Sequence, residues 1–189
     1  MTLSVRPLTP DLWPDLEALF GKAGASNGCW CMFWRIGPAY HKRPREKNKA
    51  ALRTIVRCGP PSGLIAFDGD APVGWCLLAP RATLPWLERS MRLDTVDDDS
   101  TWSMPCFFIR AAYRRRGVTT VLIEAALRTA RRAGASALES YPIDTHAPKS
   151  TGNIFTGVAS TFRRSGFKTV ARHRLGRVIM RHDLKRRSV

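Results

Sequence analysis

The stretch that most constrains this chain runs from Cys106 to Gly134: an apolar run, CFFI, then a basic glycine-containing turn, YRRRG, then a long helical pattern. Strand, cationic loop and helix start in that order make a place to hold phosphates, because backbone N–H groups left unpaired at a helix N-terminus converge on an anion. Arg114, Arg115 and Arg116 offer charge-assisted contacts, and Gly117 permits close backbone approach. Thr119 and Thr120 add hydroxyl donors on the first turn. The turn matches neither GxxxxGK[ST] nor GxGxxG, so ATP chemistry and hydride transfer have no handle here.

The rest of the chain reads as an α/β domain built around that unit, one domain over residues 1–189. LSVRP at 3–7 is a first strand with Leu3 and Val5 on one face. Thr9 is placed to cap a helix whose apolar stripe is Leu12, Leu16, Leu19 and Phe20. HKRPREKNKAALRTIVRCG turns into a second helix with Ala51, Leu52, Ile55 and Val56 inward. SGLIAFDGDAPVGWCLLAP is a hairpin about Asp68-Gly69-Asp70. LPWLERSMRL is a short helix or a surface turn. Residues 102–109 form a strand in which Pro105 marks an edge, a bulge or an interrupted ladder. The strongest helix spans 118–133, with Val121, Leu122, Ala125, Ala126 and Thr129 as its buried face. SALESYPI is a strand, 156–164 a short helix, and Phe167 and RVIMRHD begin or form the last two strands.

Charge is the main bulk clue. The net charge is +16, and residues 111–189 alone carry +13, seventeen Lys and Arg against four acids. Such a field attracts polyphosphates or nucleic acid, yet no zinc-finger or RNP-like pattern accompanies it, which leaves nucleic acid the less favoured partner. Five cysteines form an odd set, and Cys76 and Cys106 sit inside apolar runs, which favours reduced thiols over a disulfide framework. Cys29 and Cys31 are too close for the usual zinc pair and the four histidines are scattered, so no metal is expected. No apolar run approaches the roughly 20 residues a bilayer span needs, and the N-terminus lacks a signal-peptide pattern. The expectation is a cytoplasmic protein with no membrane partner.

CFFIRAAYRRRGVTTVLIEAALRTARRAGA resembles the acetyl-CoA motif of the GCN5-related N-acetyltransferases, the GNAT superfamily, whose loop is written [RQ]xxGx[GA]. Arg114 takes the first position and Gly117 the central glycine, while Thr119 stands where the family prefers Gly or Ala. The N-terminal strand and helix, the GLIAFDGDAPVGW hairpin and the TFRRSGF segment also fall in family-like positions, so the resemblance covers nearly the whole chain. GCWC at 28–31 resembles a segment of a bacterial subgroup, in the region that closes over the acceptor.

The resemblance implies a GNAT-like mixed, largely antiparallel sheet with a central strand–helix–strand unit. It implies acetyl-CoA as acyl-donor cosubstrate, lying in a V-shaped gap between the strands at 102–109 and 136–141. Pantetheine would run along Phe107, Phe108 and Ile109, and the phosphates would meet Arg114, Arg115, Arg116, Gly117, Val118, Thr119 and Thr120. A primary amine of a small molecule or a protein would attack the thioester directly. Many relatives carry a proton-donating Tyr four residues before the glycine of a YxxxGF motif, and here Phe162 occupies that position. Tyr141, His146, Ser160 or solvent would replace it. Glu139 is a candidate base, with pairing to an arginine as its structural alternative. Cys29, Trp30 and Trp34 either wall the acceptor pocket or form a buried aromatic cluster. A homodimer is compatible with this reading. The competing readings are a non-catalytic acyl-CoA sensor and a nucleic-acid-binding protein.

Overall fold

A computed structural model describes residues 1–59, 62–91, 100–144, 154–172 and 176–184. Its elements in chain order are β1 (Leu3–Pro7), α1 (Trp13–Phe20), α2 (Phe33–Ile36), α3 (Arg45–Cys58), β2 (Leu64–Asp68), β3 (Ala71–Pro80), α4 (Pro85–Met91), β4 (Trp102–Ile109), α5 (Val118–Arg132), β5 (Ala137–Ser140), α6 (Ala159–Arg164), β6 (Lys168–Arg172) and β7 (Val178–Asp183). The strands form one seven-stranded sheet in the order β1-β2-β3-β4-β5-β7-β6. Every neighbouring pair is antiparallel except β4 and β5, which run parallel. A parallel pair needs a crossover connection, and α5 supplies it.

Period-two alternation sorts the sheet into two cores. Leu64, Ala66, Cys76 and Leu78 pack with Val118, Leu122, Ile123, Ala126 and Ala130 of α5 and with Phe162 of α6. Ile65, Phe67, Trp75, Leu77 and Ala79 face the other way, onto Leu16 and Phe20 of α1, Trp34 of α2, Leu52 of α3 and Leu87 of α4. Val118, Leu122 and Ile123 are essentially fully buried, and each such side chain contributes about 1.5–3 kcal/mol. They hold the front end of α5 down on β2 and β3.

Three sequence expectations change. The buried face of α5 is Val118, Leu122, Ile123, Ala125, Ala126 and Ala130. Val121 and Thr129 stand at its margin, half-buried. The 3.6-residue period drifts around the helix, and the larger Ile123 takes the core position. The helix expected over 156–164 starts at Ala159, because Gly157 adopts a left-handed φ of 79° that separates it from a single 3-10 turn at Ile154–Thr156. Thr9 makes no side-chain cap on the 3-10 turn at Pro10–Leu12. Its hydroxyl bonds the Asp11 carboxylate instead and holds that group below the usual carboxylate range. The segment at 85–91, open between helix and turn, is the helix α4 with Leu87 and Met91 buried.

Candidate active site

The sheet opens where β4 and β5 part. Among the described residues their pairing consists of Trp102 with Leu138 and Ser103 with Glu139. Just beyond, β4 carries one extra residue: Leu77 of β3 faces Cys106 while Ala79 faces Ser103. The insertion sits at Met104–Pro105, where proline has no N–H to give to a ladder. Side-chain parity records it. Trp102 and Met104 face the α5 core and so do Phe107 and Ile109, whereas Cys106 and Phe108 face the α1 core.

β4 then leads into the basic turn. Arg115 (φ 60°) and Gly117 (φ 83°) are left-handed on either side of Arg116. That alternation turns successive backbone N–H groups into one concavity, the pattern of an anion nest. Gly117 is the N-cap of α5 and no side chain caps it, so the first amides of the helix are left for a ligand. A Cβ on Gly117 would meet nothing within 4 Å, so the space over the nest is open. Arg114, Arg115 and Arg116 are exposed around it, with Arg114 Nε donating to the Ile109 carbonyl at 3.2 Å. Thr119 and Thr120 are half-buried on the first turn, whereas the Val118 side chain is core, so this residue can offer only its amide. An uncapped helix start, a nest and three exposed guanidinium groups fit a pyrophosphate.

At the fork lies a buried polar cluster. The Glu139 carboxylate is only 2% exposed. Arg81 Nη1 donates to its Oε2 at 3.2 Å, Arg181 Nη1 to its Oε1 at 3.5 Å, and the Tyr141 hydroxyl to its Oε2 at 3.0 Å. Tyr141 has one proton and spends it on the carboxylate, so the Ser103 hydroxyl, 3.0 Å away, is the donor to Tyr141. Burial, then the Glu139 charge, raise the Tyr141 phenol well above its ordinary pKa. Ser140 Oγ donates to the Met104 carbonyl at 2.8 Å, which ties β5 to the irregular part of β4. Glu139 and Tyr141, named separately by the sequence, thus lie together at the fork, with Glu139 locked to two arginines. His146 lies outside the described residues. Phe162, whose ring carries no hydroxyl and so no proton to offer, is fully buried against Phe107 and Phe167.

The aromatic GCWC segment closes over the opposite core. Trp30 stacks on Trp13 at 5.9 Å and tilts onto Phe20 at 5.4 Å. At 4% exposure it packs within that core. Trp34 is buried too, beside Phe33 and Phe155. Cys31, left-handed with φ 54°, accepts a hydrogen bond from Trp75 Nε1 at 3.0 Å. Its thiol also shares a hydrogen bond with Cys106 on β4, and that bond together with burial raises it well above the usual range. Cys29 is half-buried, and burial pushes its thiol up to about 12. The sequence reading missed Ser103, Arg81 and Arg181, since nothing in the spacing of three residues so far apart announces their meeting. Among the described residues no group of His, Cys, Asp or Glu gathers as a metal-ligand set, and no helix is long and apolar enough to cross a membrane.

Solved structures share this architecture. An N-acetyltransferase from Staphylococcus aureus Mu50 superposes with a TM-score of 0.56 at 14% identity, covering 98% of this chain and 100% of its own. The paia N-acetyltransferase from Thermoplasma acidophilum, solved in complex with coenzyme A, gives 0.55 at 13% identity, with 97% and 99% covered. The protein yncA from Salmonella typhimurium, solved with its cofactor acetyl-CoA, gives 0.57 at 12% identity, with 100% and 98% covered. No curated protein matches the chain in sequence. At these identities the structures establish the fold. The family rests on sequence: residues 27–151 match the acetyltransferase (GNAT) family, so the chain belongs to that family and is an N-acetyltransferase with acetyl-CoA as its acyl donor.

Proposed function

We propose that the chain moves the acetyl group of acetyl-CoA onto a primary amine by direct attack. The observation that carries this is the fork itself, a parallel pair that parts after Ser103 beside a β4 insertion and leads straight to an uncapped helix start. Arg114, Arg115, Arg116 and the amides of Arg115–Thr120 would hold the phosphates. Backbone of Cys106–Ile109, free of β5, would line the pantetheine. In the reaction the amine nitrogen bonds the acetyl carbon, the carbon–sulfur bond breaks, the amine gives up a proton and the CoA sulfur gains one. Bringing the two reactants together in a fixed orientation supplies most of the acceleration. Glu139, fixed by Arg81 and Arg181, acts as a positioning residue that aims Tyr141. To give the sulfur its proton, Tyr141 would turn its O–H from Glu139 to the fork, in place of the missing hydroxyl at Phe162. The amine proton leaves to His146 or to solvent.

The test is acetyl-CoA binding and turnover. Acetyl-CoA should raise the melting temperature, and a panel of primary amines should release CoA thiol with at least one of them. A protein that acetyl-CoA neither stabilises nor binds would overturn the reading.

A further inference from the structure

Arg35 is the one charged residue in the run CWCMFWRI. It sits on α2, a single turn ended by Gly37 at φ 63°. A Cβ on Gly37 would lie 2.4 Å from the Trp86 ring, so α2 is pressed against α4 and the Arg35 side chain has little freedom. Its Nη1 donates to the Thr83 carbonyl at 2.8 Å. Its Nε and Nη2 are buried and have no hydrogen-bond partner among the described residues. Nε–H and the adjacent Nη2–H form the edge of a guanidinium that grips a carboxylate through two parallel bonds. The structure therefore anchors the head by one nitrogen and leaves the carboxylate-binding edge without a partner among the described residues. On the preceding residue, Trp34, the buried Nε1 is likewise without an acceptor among the described residues. The free groups are all donors.

A guanidinium stays protonated, so an unpaired buried one is a standing cost. Burial already pulls the Arg35 pKa below its ordinary value. Two facts connect the group to the core that borders the fork. Cys31, whose charge would interact with Arg35, shares a hydrogen bond with Cys106 just past the β4 insertion. Trp34 belongs to the same core as Tyr141. The net charge of +16 also draws anionic acceptors and disfavours polycationic ones. We propose that Arg35 is a specificity residue that binds a carboxylate of the acceptor, so that the substrate is an amine that also bears a carboxylate, as in an amino acid. This rests on the acetyl-transfer reading and narrows it.

The test compares amino acids with the matching amino acid amides as acceptors. The wild type should favour the acids by about a hundredfold in kcat/KM, as loss of a buried charge-assisted pair implies. In Arg35→Met the ratio should fall to about 1, while the free protein melts no lower than the wild type, because a buried unpaired charge has been removed. A binding arm needs no turnover: N-acetyl amino acids, but not N-acetyl amino acid amides, should shift the melting temperature of the CoA-loaded wild type and not of the variant. Equal use of acids and amides, no shift with any N-acetyl amino acid, or an Arg35→Met protein markedly less stable than wild type would each overturn the proposal. Failure of acetyl-CoA to bind at all would show separately, in the CoA-loading step, as failure of the acetyl-transfer reading.

Discussion

Glu139→Gln separates an anchor from a base. The carboxylate lies 3.2 Å from Arg81 and 3.5 Å from Arg181, with side-chain exposures of 8% and 20% for the two arginines. Gln keeps the shape and removes the charge. Its amide has one oxygen, so when that oxygen faces one guanidinium the NH2 group faces the other, donor against donor. Removing one partner of a buried ion pair costs about 3–5 kcal/mol. The lower end applies because each arginine has a second carboxylate, Glu88 at 3.8 Å for Arg81 and Asp183 at 2.9 Å for Arg181. A loss of about 3 kcal/mol in a domain of this size lowers the melting temperature by about 6–12 °C. Urea unfolding measures the first quantity and a thermal melt the second. Pairing the variant with Arg81→Met should recover part of the loss, since the double variant no longer strands a cation. If Glu139→Gln keeps wild-type stability to within about 0.5 kcal/mol while kcat falls about a thousandfold, Glu139 is a catalytic base and the anchoring argument fails.

Tyr141→Phe removes the O–H that Glu139 accepts and leaves Ser103 without its acceptor, so kcat should fall by about a hundredfold with acetyl-CoA affinity unchanged. Steady-state kinetics beside a CoA titration checks it, and wild-type kcat would remove Tyr141 from the reaction. Gly74→Ala puts a Cβ 2.7 Å from Val118 Cγ1 and 3.0 Å from Ile109 Cδ1, directly beneath the nest. The overpacking should cost about 1–3 kcal/mol and weaken acetyl-CoA binding, whereas a stability loss with unaltered affinity would mean the nest is independent of its floor. The thiols of Cys29, Cys31 and Cys76 are raised by burial and, for Cys31, first by Cys106. Raised groups stabilise fully below the unfolded thiol pKa of about 8.5, and the unfolded state sheds these protons first as pH rises. Stability should therefore fall by about 4 kcal/mol per pH unit above that point and go on falling toward the Cys29 value of about 12. Urea midpoints that stay flat between about pH 8 and pH 10 would contradict the burial of these thiols.

The parts of the fold written in local pattern were legible. Trp102–Ile109 and the helix from Val118 follow from an apolar run, a glycine turn and a long period of 3.6, and the hairpin about Gly69 from two apolar runs around a tight turn. Pro105 marked the β4 irregularity in advance, because a residue without an N–H cannot sit quietly in a central ladder. The candidate site was legible only where it is local, in Arg114–Thr120. The partners of Glu139 come from 58 and 42 residues away, and no periodicity carries such a meeting. Trp30 and Trp34 share an aromatic run and enter one core, on different neighbours, because consecutive left-handed residues, Trp30 and Cys31, turn the chain between them. Nothing in the sequence pattern singles out Arg35, whose partners and burial depend on the packing of α2 against α4.

The extra residue in β4 also sets a phase for everything after it. Upstream of Met104 even-numbered side chains face α5, and downstream of Pro105 odd-numbered ones do. Deleting Pro105 would restore an unbroken count and exchange the faces of Cys106, Phe107, Phe108 and Ile109 together, sending Phe107 away from Phe162 and Cys106 away from Cys31. A one-residue gap here is therefore equivalent to several simultaneous core substitutions, while a gap in a surface turn changes nothing comparable. Any comparison of this strand with that of another protein must keep the phase break in place, or it will pair each inward side chain with an outward one.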